Sequence, residues 1–126
     1  MSDIIKHINT IENIQLDVKY LKYDNWQDVS MLRDLNRNAY AEILKFRPDP
    51  HGNHSKHFSV WTSCEDDLRY QEEKEYDLIY KGRGKVKKGV FDKERNKLYD
   101  ILDSYSKGLR SIAANDNQEF DEIKKI

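Results

Sequence analysis

Five cations fall within eight residues in Lys81-Gly82-Arg83-Gly84-Lys85-Val86-Lys87-Lys88. Lys81, Arg83, Lys85, Lys87 and Lys88 at this density can meet successive phosphates, and Tyr80 beside them can stack on an unpaired base. Glycines at 82, 84 and 89 permit tight turns and close approach of the backbone to a ligand. The bland alternative is a solvated turn whose lysines keep an exposed edge soluble. The acidic run before it could also neutralise it, with seven acids between Glu65 and Asp77. Solvation or internal pairing is the default, and phosphate contact the alternative. Gly82-Arg83-Gly84 is too short for a nucleotide fingerprint, because no Gly-Lys-Ser/Thr follows it.

His51, His54 and His57 recur at steps of three, with Asp49 close by. Imidazoles plus a carboxylate are zinc-type ligands, and a metal-dependent phosphodiesterase is the chemistry they would serve. That spacing gathers ligands on one face only in a helix, and Pro50, Gly52 and Asn53 argue for a polar loop. His57-Phe58-Ser59-Val60 is one half of the paired His-x-Ser/Thr tetrads of two-histidine phosphoesterases, but His7-Ile8-Asn9 supplies no second copy. Cys64 has no thiol partner and no evident base. No nucleophile constellation and no cofactor motif emerges.

The fourteen aromatics are the other conspicuous resource. Tyr and Trp anchor protein interfaces because the ring packs while the polar tip stays wet. Tyr23, Trp26, Trp61, Tyr70 and Tyr76 lie near chain turns or beside charges and are the interface candidates. Core or core rim is the default for most of them.

Composition narrows the class. The chain of 126 residues is 36% charged with a net charge of −1, so it is no general polyanion binder, and nucleic-acid binding must rest on a local patch. Mean hydropathy is −0.96, yet the aromatic content is too high for a disordered chain. A single cysteine fits a reducing compartment, and no apolar run would cross a membrane. The expected location is therefore cytoplasmic. Abundant Lys, Asn, Ile and Tyr fit an AT-rich genome, such as that of a low-GC bacterium or its phage.

The elements that must position these residues read as a single α+β domain. Leu98, Ile101, Leu102, Tyr105, Leu109 and Ile112 predict a helix over about 92–113, with Asp92 as N-cap and Phe91 as staple. A second helix is predicted over 26–46, capped by Asp24 or Asn25 and stopped ahead of Pro48. Strands are expected near 14–22, 57–63, 76–81 and 85–90, forming a small antiparallel sheet whose last two strands make a basic hairpin. Residues 4–11 suit a short helix. The alternation of Ile14, Leu16, Val18 and Tyr20 favours a strand after it, while the seven-residue spacing of Ile4, Ile11 and Val18 would suit one long helix to Tyr23 and a coiled-coil homo-oligomer. Asn115-Asp116-Asn117 end the helix, and in the segment 115–126 Phe120, Ile123 and Ile126 either dock a last helical turn or fray.

The expected function is a small non-enzymatic binding protein without a cofactor. Protein–protein contact comes first, as in an accessory or inhibitor protein from a phage or mobile element, including one that targets a nucleoprotein complex. Nucleic-acid binding through the 81–88 hairpin comes second. The histidine-loop phosphodiesterase is a distant third.

Overall fold

The computed structural model describes residues 3–52, 54–82 and 85–124. Four α-helices follow one another: α1 (Asp3–Tyr20), α2 (Trp26–Lys45), α3 (Phe58–Tyr80) and α4 (Lys88–Lys124). A single 3-10 turn, Ser55–His57, leads into α3. The helices form a four-cornered bundle in which each packs on its sequence neighbours and α4 closes on α1.

Cross-helix bonds fix an up-down-up-down order. Ser106 donates to Glu12 at 2.7 Å, Gln15 to Asp103 at 2.9 Å, and Arg95 to the Leu21 carbonyl at 3.1 Å, so α4 descends as α1 rises. Across the other seam Arg33 pairs with Glu72, Tyr40 with Glu65, and Trp61 with the Ile43 carbonyl. One end of the bundle therefore carries the 21–25 and 81–87 connections, and the other carries the 46–57 loop.

Each helix buries a stripe at steps of three and four. In α1 it is Ile4, Ile8, Ile11, Gln15 and Val18; in α2, Val29, Leu32, Asn36, Ala39 and Ile43. In α3 it is Trp61, Cys64, Leu68, Gln71 and Glu75, and in α4 Phe91, Glu94, Leu98, Leu102, Tyr105 and Leu109. The chain starts α2 with a capping box. The Asn25 side chain accepts from Gln27 N–H at 2.9 Å, and Asp28 accepts from Asn25 N–H at 3.0 Å. Gly108 lets α3 and α4 approach, since a Cβ there would lie 2.9 Å from Val60 Cγ1.

The α+β expectation is overturned, for no strand or sheet occurs among the described residues. The alternation at 14–20 is incidental. Leu16 and Tyr20 point to solvent, while Ile4, Ile8, Ile11 and Val18 keep the helical spacing, which is the one-helix alternative for this segment. Residues 57–63 and 76–81 belong to the start and end of α3. Its stripe runs through Gln71 and Glu75, so the helical period is hidden by two polar residues. No hairpin spans 85–90, because α4 begins at Lys88; Asp92 lies inside the helix instead of capping it, and Phe91 is core. At the other end α4 runs on to Lys124 instead of ending at Asn115, while Ile126 lies outside the described residues. Among the described residues, none of the helices is long and apolar enough to cross a membrane.

Candidate functional site

The end carrying the 21–25 and 81–87 connections collects what the sequence had scattered. Tyr20, Trp26, Tyr76, Tyr80 and Val90 are exposed there. Lys19, Lys22, Lys81, Lys85, Lys87, Lys88 and Lys93 surround them, all exposed. Gly82 makes the turn possible, for a Cβ on it would sit 2.4 Å from the Leu78 carbonyl oxygen. Lys85 N–H then donates to the Gly82 carbonyl at 2.8 Å. Arg83 lies outside the described residues.

The local acids are mostly committed elsewhere. Asp28 accepts the backbone N–H groups of Asp24 and Asn25, which hold its carboxyl below the usual range. Asp92 lies 3.6 Å from Arg95, and Asp77 lies 3.5 Å from Lys81. Among the described residues no ion pair engages Lys22, Lys85, Lys87, Lys88 or Lys93.

The acidic run that could have neutralised this turn is strung over about 18 Å of α3, at 1.5 Å per residue. Glu65 takes Arg69 at 3.0 Å and the Tyr40 hydroxyl at 2.9 Å; Asp66 takes Arg69 at 2.6 Å. Glu72 takes Arg33 at 2.8 Å, and Glu75 is buried against Asn36. Only Asp77 reaches a cation of the turn. Glu65, Glu72 and Glu75 are thus engaged across the α2–α3 seam, while Asp67 and Glu73 stand exposed.

At the top of that seam Arg33, Tyr76 and Tyr80 cluster, the two rings tilted by 36° to each other. The Tyr76 and Tyr80 rings lie 4.3 Å apart, and the Arg33 guanidinium lies 5.2 Å from the Tyr76 ring. Glu72 anchors that guanidinium, and their hydrogen bond holds Arg33 more firmly protonated than usual. The pairs Arg33–Glu72 and Tyr40–Glu65, extended toward the start of α2, set Trp26 level with Ile79 and Tyr80. A cleft of about 510 Å³ continues down the seam past Arg37, Tyr40 and Leu44.

The other interface candidates disperse. Tyr23 is half-buried, stacked on Phe91 at 5.0 Å. Tyr70 stands mid-helix under Lys74. Trp61 is core at the opposite end, 6% exposed, with its Nε1–H donated to the Ile43 carbonyl at 2.7 Å.

The histidine loop occupies that opposite end and forms no metal site. His51 is exposed, His54 sits in left-handed backbone at φ 63°, and His57 is buried. Among the described residues no group of three His, Cys, Asp or Glu is placed to hold a metal ion. The His57 tetrad opens a helix, so its strand geometry does not exist. The loop's rings instead close a hydrophobic box: His54 meets Phe46, and Phe46 stacks on His7 at 4.4 Å. His7 lies between Glu42, 3.2 Å from Nδ1, and the Tyr105 hydroxyl, 2.7 Å from Nε2. Burial holds His7 below the ordinary histidine range against the opposing pull of Glu42, and burial pushes the Tyr105 phenol and the Cys64 thiol up. His7, Glu42, Phe46 and His54 also line a cleft of about 340 Å³ at this end.

A buried polar layer went unread in the sequence. Glu75 is fully buried, and that burial pushes its carboxyl up to about 9, so it is a neutral acid at pH 7. Asn36 Nδ2 donates to Glu75 Oε2 at 3.2 Å, while Asn36 Oδ1 and Glu75 Oε1 lack partners. A proton on Glu75 turns one of these acceptors into a donor, which relieves both groups at once. Gln71 donates to Glu94 at 2.6 Å in the same layer. The only available signal was position: all four side chains fall on helical stripes.

Comparison with known proteins assigns no family: no family model, curated protein or solved structure matches the chain.

Proposed function

We propose that this chain is a non-enzymatic binding protein whose working surface is the lysine-rich end of the bundle, and that its ligand there is the phosphate backbone of a nucleic acid. One observation carries the reading. The cations at 85–88 are unspent, while five of the seven acids that precede them are engaged: Glu65, Glu72 and Glu75 by α2, Asp66 by Arg69 on the same helix, and Asp77 by Lys81. The neutral net charge and the acidic run had favoured a protein partner, and the second of those arguments weakens once most of the acids have partners. Separated charge of this kind lets a protein with a net charge of −1 present a local basic patch. A single buried cysteine and such a ligand fit a cytoplasmic protein.

A protein partner keeps one supporting observation. Leu44 and Ala41 are exposed beside the α2–α3 cleft, away from the lysines. That surface would be used in addition to the basic end.

Fluorescence anisotropy with labelled oligonucleotides tests the proposal. Binding should weaken as salt rises, with a log–log slope of about two to four if three to five phosphates of a single strand are neutralised. Lys85→Glu, Lys87→Glu and Lys88→Glu together should cost more than about tenfold in affinity at low salt with an unchanged unfolding midpoint. Unchanged affinity in the triple variant, or no binding by the parent protein at low salt, overturns the reading.

A further inference from the structure

We infer that this end takes an unpaired strand, with a base stacked on the outer face of Tyr80 and its neighbour against Trp26. The inference rests on the nucleic-acid reading above and narrows it to a ligand class.

Glu72, Arg33, Tyr76 and Tyr80 form a series in which every planar group but the last is covered. Glu72 fixes the guanidinium at 2.8 Å, the guanidinium lies 5.2 Å from the Tyr76 ring centre, and the Tyr76 and Tyr80 ring centroids are 4.3 Å apart. Among the described residues no further ring or cation stacks on Tyr80, which is 56% exposed. Tyr80, already held against Tyr76 at a tilt of 36°, loses little freedom when a planar group is added to its open face. Stacking of a nucleobase on an aromatic ring is tolerant of sequence, because every base has a π-face.

Two further features choose the strand type. Bases in a duplex hide their faces against each other, so only an unpaired or splayed base can extend the series. Trp26, 55% exposed and level with Tyr80 across the seam, offers a second open ring on the facing helix. The cations of the turn follow directly after Tyr80 in the chain, so a base on Tyr80 leaves its phosphate beside Lys81 and Lys85. Charge and π-surface are thus complementary to the same ligand.

The test compares three probes of equal length: single-stranded DNA, duplex DNA, and an abasic single strand that keeps the phosphates. The single strand should bind about tenfold more tightly than either of the others, and it should quench the fluorescence of the exposed Trp26; Trp26→Phe should remove that quenching. Tyr80→Ala should cost the single strand roughly 5- to 100-fold, the range expected for one lost base stack, and leave the abasic strand unaffected. If the abasic strand or the duplex binds as well as the single strand, or Tyr80→Ala changes nothing, stacking is wrong while the backbone reading survives. If no probe binds at low salt, both fail, and the open ring is left to a planar side chain of a protein partner.

Discussion

Each end of this bundle holds one tryptophan, and the two are treated in opposite ways. Trp61, beside the 46–57 loop, is buried; its N–H is bonded to the Ile43 carbonyl, and the Arg47 guanidinium lies 5.8 Å from its ring. Around it His7, Glu42 and Tyr105 satisfy one another. Trp26, at the lysine-rich end, is 55% exposed, and among the described residues Lys22, Lys85, Lys87, Lys88 and Lys93 at that end have no carboxylate partner. Where polar and aromatic groups are mutually satisfied they contribute stability; where they are left open, the same residue types remain available to a ligand. The first end holds the fold, and the second can be altered without harming it.

The largest effect should separate the two tryptophans. Trp61→Ala is expected to cost about 3–5 kcal/mol, mainly through the emptied volume, since the Ile43 carbonyl keeps the Phe46 N–H. Trp26→Ala should change stability by less than about 0.5 kcal/mol. Urea midpoints would read both, and equal losses would break the division of labour between the ends.

Between the two ends, Glu75 gives a pH signature. Its carboxyl is raised from 4.5 to about 9, so both folded and unfolded chains hold the proton in acid, and its contribution is then fully present. As pH rises above the ordinary carboxyl range the unfolded chain loses its proton first, and stability falls until about pH 9. Glu75→Gln mimics the neutral acid and can pair with the Asn36 amide. At pH 8 it should be more stable than the parent by on the order of 2–4 kcal/mol, with a flatter stability curve between pH 5 and 9. A variant less stable than the parent at pH 8 would show that the charged form is the native one.

The smallest effect tests the open end. A Cβ on Gly89, in the first turn of α4, would meet nothing within 4 Å. Gly89→Ala should therefore stabilise by about 0.5 kcal/mol while leaving oligonucleotide affinity unchanged. A loss of affinity would mean that the backbone at 89 itself approaches the ligand.

The helix at 26–45 and the 92–113 part of α4 were legible because Leu32, Ala39 and Ile43, and Leu98, Leu102, Tyr105 and Leu109, repeat with little interruption. The helix α3 was not. Its stripe is completed by Gln71 and Glu75, polar residues tolerated in the interior only because Asn36 and Glu94 arrive from other helices to bond them. The basic turn was legible as a charge cluster, and Tyr80 as its neighbour. Their freedom from the acidic run was not, because adjacency in sequence says nothing about which partners a helix will present to each side chain.

What the sequence determines by itself is local: the Asn25 cap, the stop before Pro48, the glycine that releases the chain after α3, and the concentration of lysine in a turn. Each depends on backbone geometry or charge within a few residues. The tertiary structure decides what depends on partners far along the chain. It makes residues 58–80 one helix, makes Glu75 a neutral acid, closes Trp61 into the core, and brings Trp26 level with Tyr80. Burial and the pairing of distant groups set those outcomes, and neither is a property of a short stretch of sequence.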